Sequence, residues 1–542
     1  MAKNSIVIGS RGSELALWQA NFIMSELEKL GETVELKIIK TQGDKTQDLS
    51  FDKLEGKGFF TKEIEDALLN KSIDLAVHSH KDLSTELPEG LIIAAVSDRE
   101  DPSELILINK NAVDEKQKFC IKKNAIIGTS SARRKSQLLA FRDDLQIQDL
   151  RGNVPTRIQK LREKRYDAIM LAVAGVERLQ INLSEFYYQK LNPKEFVPAP
   201  AQGVLALQIR EEDKLLFETL QSINKPEVAT SIAIERKVLN LFDGGCQLPL
   251  GVYCEKDVNE EDEVIYKVWT SRAKTSDSAP VFLYSENQKP EGFAEKIVNK
   301  INCIQPTSVF ISRNLHPNSL FLRNLSKFGY EVKGETLIEF KKIEYKQLPQ
   351  TEWIFFSSKH AVEYFFDQQP QLTNQKIGTV GKGTSDAIRK YGKRADFIGY
   401  STDTKLTGKQ FASQVKGGTV LFPQAKESLR SIQKQFTDVS KITDLPVYQT
   451  ILYDDVEVPQ AGIMVFTSPS NVDAFFKKNK LSSSQRIVAM GGATEHELSK
   501  HGIKKCVMPI TFDDLGLLQA VFEQSVIYPE KQNYDTPPSQ KS

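Results

Sequence analysis

Short apolar runs alternate with amphipathic stretches through the first two hundred residues, and that alternation predicts strands followed by helices. "SIVIGS" reads as a buried strand, and the segment after it places Leu15, Trp18, Phe22, Ile23, Leu27 and Leu30 at helical spacing behind a Ser13 N-cap. "VELKIIKT", "IDLAVHS", "LIIAAV" and "ELILIN" continue as strands, with "FTKEIEDALLN" as a helix among them. "AIIGTSSARRKSQLLAF" is strand, polar turn and helix, and "YDAIMLAVAGVERL" is strand then helix. The expected class is α/β with mostly parallel sheets, whose ligands sit in the loops after the strands' carboxyl ends.

After "PAPAQGVLALQIR" the pattern changes. A helix, "ATSIAIERKVLNLF", leads into the turn "FDGGCQLPLG", three strands follow, and "EGFAEKIVNKINCI" closes an α+β region. α/β alternation restarts at "QPTSVFISRN" with an internal echo. "WIFFSSKHAVEYFF" then "IGTVGKGTSDAIRKYG" resembles "IMVFTSPSNVDAFF" then "IVAMGGATEHELSKHG", which reads as two similar lobes. The expected domains are 1–99 with 200–219, 100–199, 220–303, one lobe of 306–344 with 449–525, and a second of 345–448. Residues 526–542, polar and Pro-containing, are expected to be a disordered tail.

A chain of 542 residues is too long for one core, which agrees with this division. Basic and acidic residues nearly cancel, 72 against 71, so no global charge calls for nucleic acid or an anionic membrane. Affinity for anions must come from local clusters. Cysteines at 120, 246, 254, 303 and 506 are odd in number and lack a CxxC pair. This argues against a disulfide framework or structural zinc and for a reducing compartment. With no signal peptide and no apolar run long enough for a bilayer, a cytoplasmic protein is expected.

Those clusters exist. Arg11, Arg133, Arg134, Arg151 and Arg157 all fall in strand-to-helix turns or first helical turns. Cations there work against the helix dipole unless an anion arrives, so a ligand with several carboxylates or phosphates is expected. The absence of GxxxxGK[ST] and GxGxxG at these turns disfavours a nucleotide. "HSHKDLSTELP" adds Lys81 and Asp82 at another strand end, where a carboxylate among cations stays ionised. His78 and His80 could suggest a metal, but no third ligand is near in sequence, and no metal is expected. Cys246 lies between glycines, either as a thiol held out for use or as a buried loop cysteine.

Together these motifs resemble a known family. "GSRGSELALWQA", "GKGFFTKEIEDALL", "AVHSHKDLSTELP", "GTSSARRKSQL", "LRGNVPTR", "PAPAQGVLALQIR" and "FDGGCQLPLG" are similar in type and order to hydroxymethylbilane synthase, also called porphobilinogen deaminase. "VFISR", "WIFFSSKHAV", "LPVYQT", "VFTSPSNV" and "AMGGATEHEL" resemble uroporphyrinogen-III synthase, the next enzyme of tetrapyrrole synthesis.

The resemblance implies two α/β domains like those of periplasmic binding proteins, a small α+β domain, and a two-lobed α/β synthase-like module. It implies a dipyrromethane cofactor held through a thioether to Cys246, with Asp82 as the catalytic carboxylate when ammonia leaves and an azafulvene forms. Lys81, Arg133, Arg134 and Ser131 would hold the cofactor, and Arg11, Ser13, Ser79, Thr129, Arg151 and Arg157 the substrate. "FDKLEGKGFF" would be a mobile loop, with Lys57 and Phe60 facing the cleft. In the second half Tyr448 would assist ring closure and Ser468 and Thr494 would contact substrate. The implied reactants are porphobilinogen and hydroxymethylbilane, with a monomer and neither nucleic acid nor membrane as partner.

The sequence departs from the resemblance at His80, where relatives mostly carry an apolar residue, in "PAPAQG", and in the turn "VGKGTS". Two rivals stay open: a non-catalytic two-lobed anion-binding module, and a deaminase whose second half has become a silent regulatory or scaffolding lobe.

Overall fold

The computed structural model describes residues 5–41, 61–242, 248–259, 261–400 and 403–528. The chain divides into two compact units, residues 1–304 with 526–542, and residues 305–525.

The first unit holds three sheets. One has the strand order Val34–Ile38, Ile6–Ser10, Leu75–Ser79, Leu205–Arg210, Leu91–Val96. The first three strands are parallel, and Leu205–Arg210 runs antiparallel to both its neighbours. The second sheet has the order Gln146–Gln148, Ile126–Gly128, Ala168–Ala172, Glu104–Ile108, Tyr187–Leu191. The chain therefore passes between the two sheets twice, near residues 97–103 and 192–204, as a two-lobed binding-protein-like fold requires.

The passages touch at Gly203, whose φ is +92°; a Cβ there would stand 2.4 Å from the Glu100 carbonyl oxygen, so this part of the "PAPAQG" motif needs glycine. A three-stranded antiparallel sheet, Leu250–Val258, Val264–Arg272 and Val281–Asn287, packs with helices Pro226–Leu241 and Phe293–Asn302 as the α+β domain.

Glu235, fully buried in the first of those helices, ties this domain to both passages. Its carboxylate accepts from Arg99 Nη1 (2.6 Å) and from the backbone N–H groups of Ala201 and Cys254 (2.7 Å each). Such a buried carboxylate is tolerable only because every partner is charged or an amide.

In the second unit, one parallel sheet runs Glu331–Gly334, Ser308–Ile311, Ile463–Phe466, Arg486–Ala489. The other runs Ile338–Lys342, Ile442–Leu452, Val420–Ala425, Trp353–Phe356, Lys376–Thr379, Phe397–Ile398. The internal echo has a structural counterpart: the apolar strands Trp353–Phe356 and Ile463–Phe466 each feed a helix capped by serine. Ser358 accepts from the Ala361 N–H (3.1 Å) and Ser468 from the Asn471 N–H (3.3 Å).

Ile338–Lys342, placed with the first lobe on sequence, pairs antiparallel with residues 448–452 in the second sheet. Phe340 on this ribbon packs against the apolar cores of both lobes, which explains why periodicity alone cuts the chain elsewhere. Of the expected tail, Val526 bridges to Ile304, and residues 529–542 lie outside the described residues. Among the described residues no helix is long and apolar enough to cross a membrane.

Candidate active sites

Strand ends of the first unit bring several predicted residues together. Helix Ala132–Phe141 starts at Ser131, whose hydroxyl accepts from the Arg134 N–H, and its first turn carries Arg133 and Arg134 inward, both buried. Their shared partner is Glu104, the first residue of an otherwise apolar strand and fully buried. Arg133 Nη2 donates to Glu104 Oε1 at 2.6 Å and Arg134 Nε to Oε2 at 2.9 Å, while further guanidinium N–H groups reach the carbonyls of Val197 and Met170, each at 3.0 Å.

Burial alone would push the Glu104 carboxyl pKa up, but Arg134 and Arg133 outweigh it and hold the value at about 2. Gln202 extends the network, its Nε2 donating to Glu104 Oε1 (3.2 Å) and its Oε1 accepting from Lys81 Nζ (3.3 Å).

Lys81 and Asp82 occupy a 3₁₀ turn directly after Leu75–Ser79. Burial lowers the Lys81 ammonium below the usual lysine range, with Asp82 opposing. The Asp82 side chain is exposed and forms no hydrogen bond with the described residues. Burial, with Arg134 close by, pulls the Arg157 guanidinium down to about 10, and Arg157 Nε donates to the Gly152 carbonyl at 2.8 Å. Among the described residues, Lys81, Arg133, Arg134 and Arg157 thus face Glu104 and Asp82 as carboxylates, an excess of positive charge gathered from strand ends of the first two sheets.

The remaining predicted residues sit at neighbouring strand ends in more local roles. Ser13 caps helix Glu14–Lys29, Ser79 accepts from Gln19 Nε2 (2.8 Å), and Thr129 accepts from the Ser131 N–H (3.2 Å). Arg11 and Arg151 are half-buried in the turns after their strands. Among the described residues, neither His78 nor His80 belongs to a group of three side chains placed to share a metal ion. His78 Nε2 lies 3.0 Å from Gln208 Oε1, and Gln208 in turn donates to buried Glu65 (3.2 Å). Burial lowers His78 to about 4, so it is neutral near pH 7.

Cys246, Lys57 and Phe60 lie outside the described residues. The described cysteines are all free, and burial pushes the Cys254 thiol up to about 12, the environment of an inert packing cysteine. Sequence reasoning missed Glu104 and Gln202. The available signal was a glutamate heading a strand of apolar residues, which needs buried cations.

In the second unit Tyr448 is buried on the ribbon between the lobes. Its ring stacks on Tyr364 (5.4 Å between centroids) and meets Phe340 edge-on (5.3 Å), and its hydroxyl lies 3.3 Å from Ser358 Oγ. Burial raises its pKa, keeping the phenol protonated. Ser468 and Thr494 open helices of the other lobe. Thr494 is buried with its hydroxyl donating to the Met490 carbonyl (3.2 Å), so that hydroxyl already caps its own turn. No hydrogen bond joins these residues to Tyr448 among the described residues.

Residues 6–218 match the family model "Porphobilinogen deaminase, dipyromethane cofactor binding domain", and residues 320–519 match "Uroporphyrinogen-III synthase HemD". Porphobilinogen deaminase of Oceanobacillus iheyensis is 43% identical over 257 residues, 47% of this chain and 82% of that protein. The Bacillus cereus protein of the same name is 44% identical over 261 residues, 48% of this chain and 83% of its own length. Among solved structures, uroporphyrinogen-III synthetase of Helicobacter pylori is matched at 17% identity and a TM-score of 0.31, over 40% of this chain and 99% of that one. The chain belongs to the porphobilinogen deaminase family, and behind that part it carries a stretch that matches the uroporphyrinogen-III synthase family model.

Proposed function

We propose that the chain is a bifunctional tetrapyrrole-biosynthesis enzyme: the first unit joins four porphobilinogen units into hydroxymethylbilane with release of ammonia, and the second closes that chain to uroporphyrinogen III. The observation that carries the reading is the cationic cluster gathered from strand ends of two sheets beside the exposed Asp82, on a chain whose later part matches the uroporphyrinogen-III synthase model.

The residues present fit a dipyrromethane cofactor. Its acetate and propionate groups need several cations, and Lys81, Arg133, Arg134 and Arg157 exceed the protein's own carboxylates there. Bound through a thioether to Cys246, the cofactor supplies the pyrrole carbon on which the chain grows. Glu104 holds both guanidinium groups in one orientation before any ligand arrives, so less side-chain freedom is lost on binding. Gln202 fixes Lys81 by the same network. Asp82, with no hydrogen-bond partner among the described residues, would stabilise the positive charge developing on the substrate's pyrrole as ammonia departs. Arg11, Arg151 and Arg157 would grip substrate carboxylates, with Ser13, Ser79, Thr129 and Ser131 as supporting hydroxyls.

In the second unit the His360 ring, paired through Nδ1 with Glu363 (3.2 Å), lies 6.4 Å from the Tyr448 ring, but among the described residues the Tyr448 hydroxyl meets the Ser358 hydroxyl and no imidazole or carboxylate. Closure with inversion of the last ring then rests on holding the bilane with its ends together, an orientation effect worth up to about 7–11 kcal/mol. Tyr448 would assist loss of water, with Ser468 and Thr494 at the helix starts near substrate carboxylates.

Two measurements test the reading. Intact mass of the purified chain should exceed the sequence mass by one dipyrromethane. Porphobilinogen given to the full chain should yield mostly the type III isomer, read by chromatography after oxidation to porphyrins. A chain ending near Ile304 should yield mostly type I. Equal type I product from both would remove the second activity, and an unmodified chain that makes no bilane would remove the first.

A further inference from the structure

Behind the Asp82 turn lies a cavity of about 380 Å³ that the chemistry above does not use, and none of Lys81, Arg133, Arg134 and Arg157 lines it. Its apolar wall comes from Ile93 of strand Leu91–Val96 and from Ala229 and Ile232 of helix Pro226–Leu241. The size falls within the usual range for small-molecule sites, about 300–1,000 Å³.

The polar groups on its wall differ in how far the protein itself uses them. Arg236 is engaged: its Nη2 donates to the carbonyls of Leu83 (3.0 Å) and Ser84 (2.5 Å), and these are not its only interactions. Asn224 is engaged as well, its Oδ1 accepting from the Val96 N–H (3.1 Å) and its Nδ2 donating to Gln221 Oε1 (3.0 Å). His80 is the exception. It is 8% exposed, and its Nδ1 is buried without a hydrogen-bond partner. Such an orphaned polar atom is costly, and a native structure that keeps one calls for an explanation. Burial, then the neighbouring Arg236 and His78, lower the imidazole to about 3, so near pH 7 the ring is neutral, with one N–H and one lone pair.

A charged ligand entering this cavity would leave water without a spare counter-charge to meet it, which is costly. An uncharged apolar body finds apolar walls, and a single hydroxyl on it can donate to the imidazole or accept from it, whichever tautomer is present. We propose that this cavity binds a small uncharged apolar molecule bearing one hydroxyl, its body against Ile93 and Ile232 and its hydroxyl on the His80 imidazole. His80 opens the 3₁₀ turn that also carries Lys81 and Asp82, so the occupant lies against the back of that turn.

The test uses the full-length chain and three probes of one size, benzyl alcohol, toluene and benzoate, titrated by ligand-observed NMR. Benzyl alcohol should bind, toluene about fivefold more weakly for want of the hydrogen bond, and benzoate about tenfold more weakly or worse. His80→Phe should bring benzyl alcohol down to the affinity of toluene and leave toluene unchanged. Ala229→Leu, which fills the apolar space, should weaken both about tenfold. Thermal unfolding of each variant checks folding, and Ala233→Met occupies the same space should Ala229→Leu not fold. Equal affinity for benzyl alcohol and toluene in the unmutated chain would overturn the proposal. So would the absence of binding, tighter binding of benzoate, or binding that survives the filled cavity in a folded variant.

Discussion

The two candidate sites are built from opposite materials. In the first unit, side chains with full charges are buried against one another: two guanidinium groups on fully buried Glu104, and Lys81 reached through Gln202. In the second, a neutral tyrosine is packed among aromatic rings, its hydroxyl meeting, among the described residues, that of Ser358. The difference follows the chemistry proposed for each. Releasing ammonia and growing a polycarboxylate chain moves charge at every step, and fixed charges act strongest on charge where water is excluded. Closing a bilane that already reacts spontaneously needs the ends held in register, which shape and backbone dipoles can do. Substitutions in the first site should therefore be costly and specific, and those in the second graded.

The largest effect should come from Cys246→Ser. The folded protein should lack the mass increment and make no bilane, and an adduct surviving on the variant would remove Cys246 from the assignment. Asp82→Asn keeps the shape and loses the charge. Turnover should fall about 10²–10³-fold, the loss typical when one preorganised electrostatic contact is removed, with substrate affinity changing far less. Wild-type turnover in Asp82→Asn would mean that fixed charge does not drive the first reaction, and the contrast with the second site would collapse.

Glu104→Gln comes next. Removing one partner of a buried ion pair leaves the other uncompensated, which costs about 3–5 kcal/mol. Urea unfolding of a chain ending near Ile304 should register that loss. The acid limb of stability carries the same signature. Glu104 drops from an ordinary 4.5 to about 2 in the fold. Its contribution is thus fully present above pH 4.5 and is lost as pH falls from there toward 2, because the unfolded chain takes up the proton first. His78, lowered from 6.5 to about 4, adds a loss at higher pH, between those two values. Glu104→Gln should make the lower window shallower, with His80 (lowered to about 3) and Asp144 (lowered to about 2) keeping their own share of it, and leave the upper one. A lower limb as steep as that of the wild type would show that Glu104 is not ionised in the folded protein.

The same contrast governs what was legible in the sequence. Strand and helix periods predicted the α/β lobes, and arginines at turn after turn marked the anion-facing edge, because charge at a strand end is costly without a reason and leaves a trace in one dimension. The carboxylate that organises Arg133 and Arg134 left almost none. Glu104 lies about thirty residues upstream, and only folding brings its strand beside helix Ala132–Phe141. The sequence division places Phe340 and Thr450 in one lobe, and they do pair; what no local pattern encodes is that their ribbon continues the sheet of Val420–Ala425 in the other lobe. Tyr448 resembles any buried aromatic until its hydroxyl is seen to meet Ser358. Its assignment therefore rested on family resemblance, and the geometry adds only a protonated phenol on the ribbon between the lobes.

That position makes Tyr448→Phe the smallest and most discriminating test. The substitution keeps the ring that stacks on Tyr364 and meets Phe340, and it removes only the 3.3 Å contact with Ser358. An ordinary hydrogen bond contributes about 0.5–1.5 kcal/mol net, so the rate of type III formation should drop about tenfold or less. Ser358 keeps its own role, since its hydroxyl also accepts from the Ala361 N–H and caps the helix Lys359–Phe366 whether or not the phenol is present. The lobes should stay folded, and type III should remain the main product at saturating enzyme, because orientation of the bilane is untouched. Isomer ratio and single-turnover rate, measured together, separate the two contributions. A product switched to type I in Tyr448→Phe would mean that one hydroxyl carries the reaction. The second site would then depend on a discrete chemical group as strongly as the first.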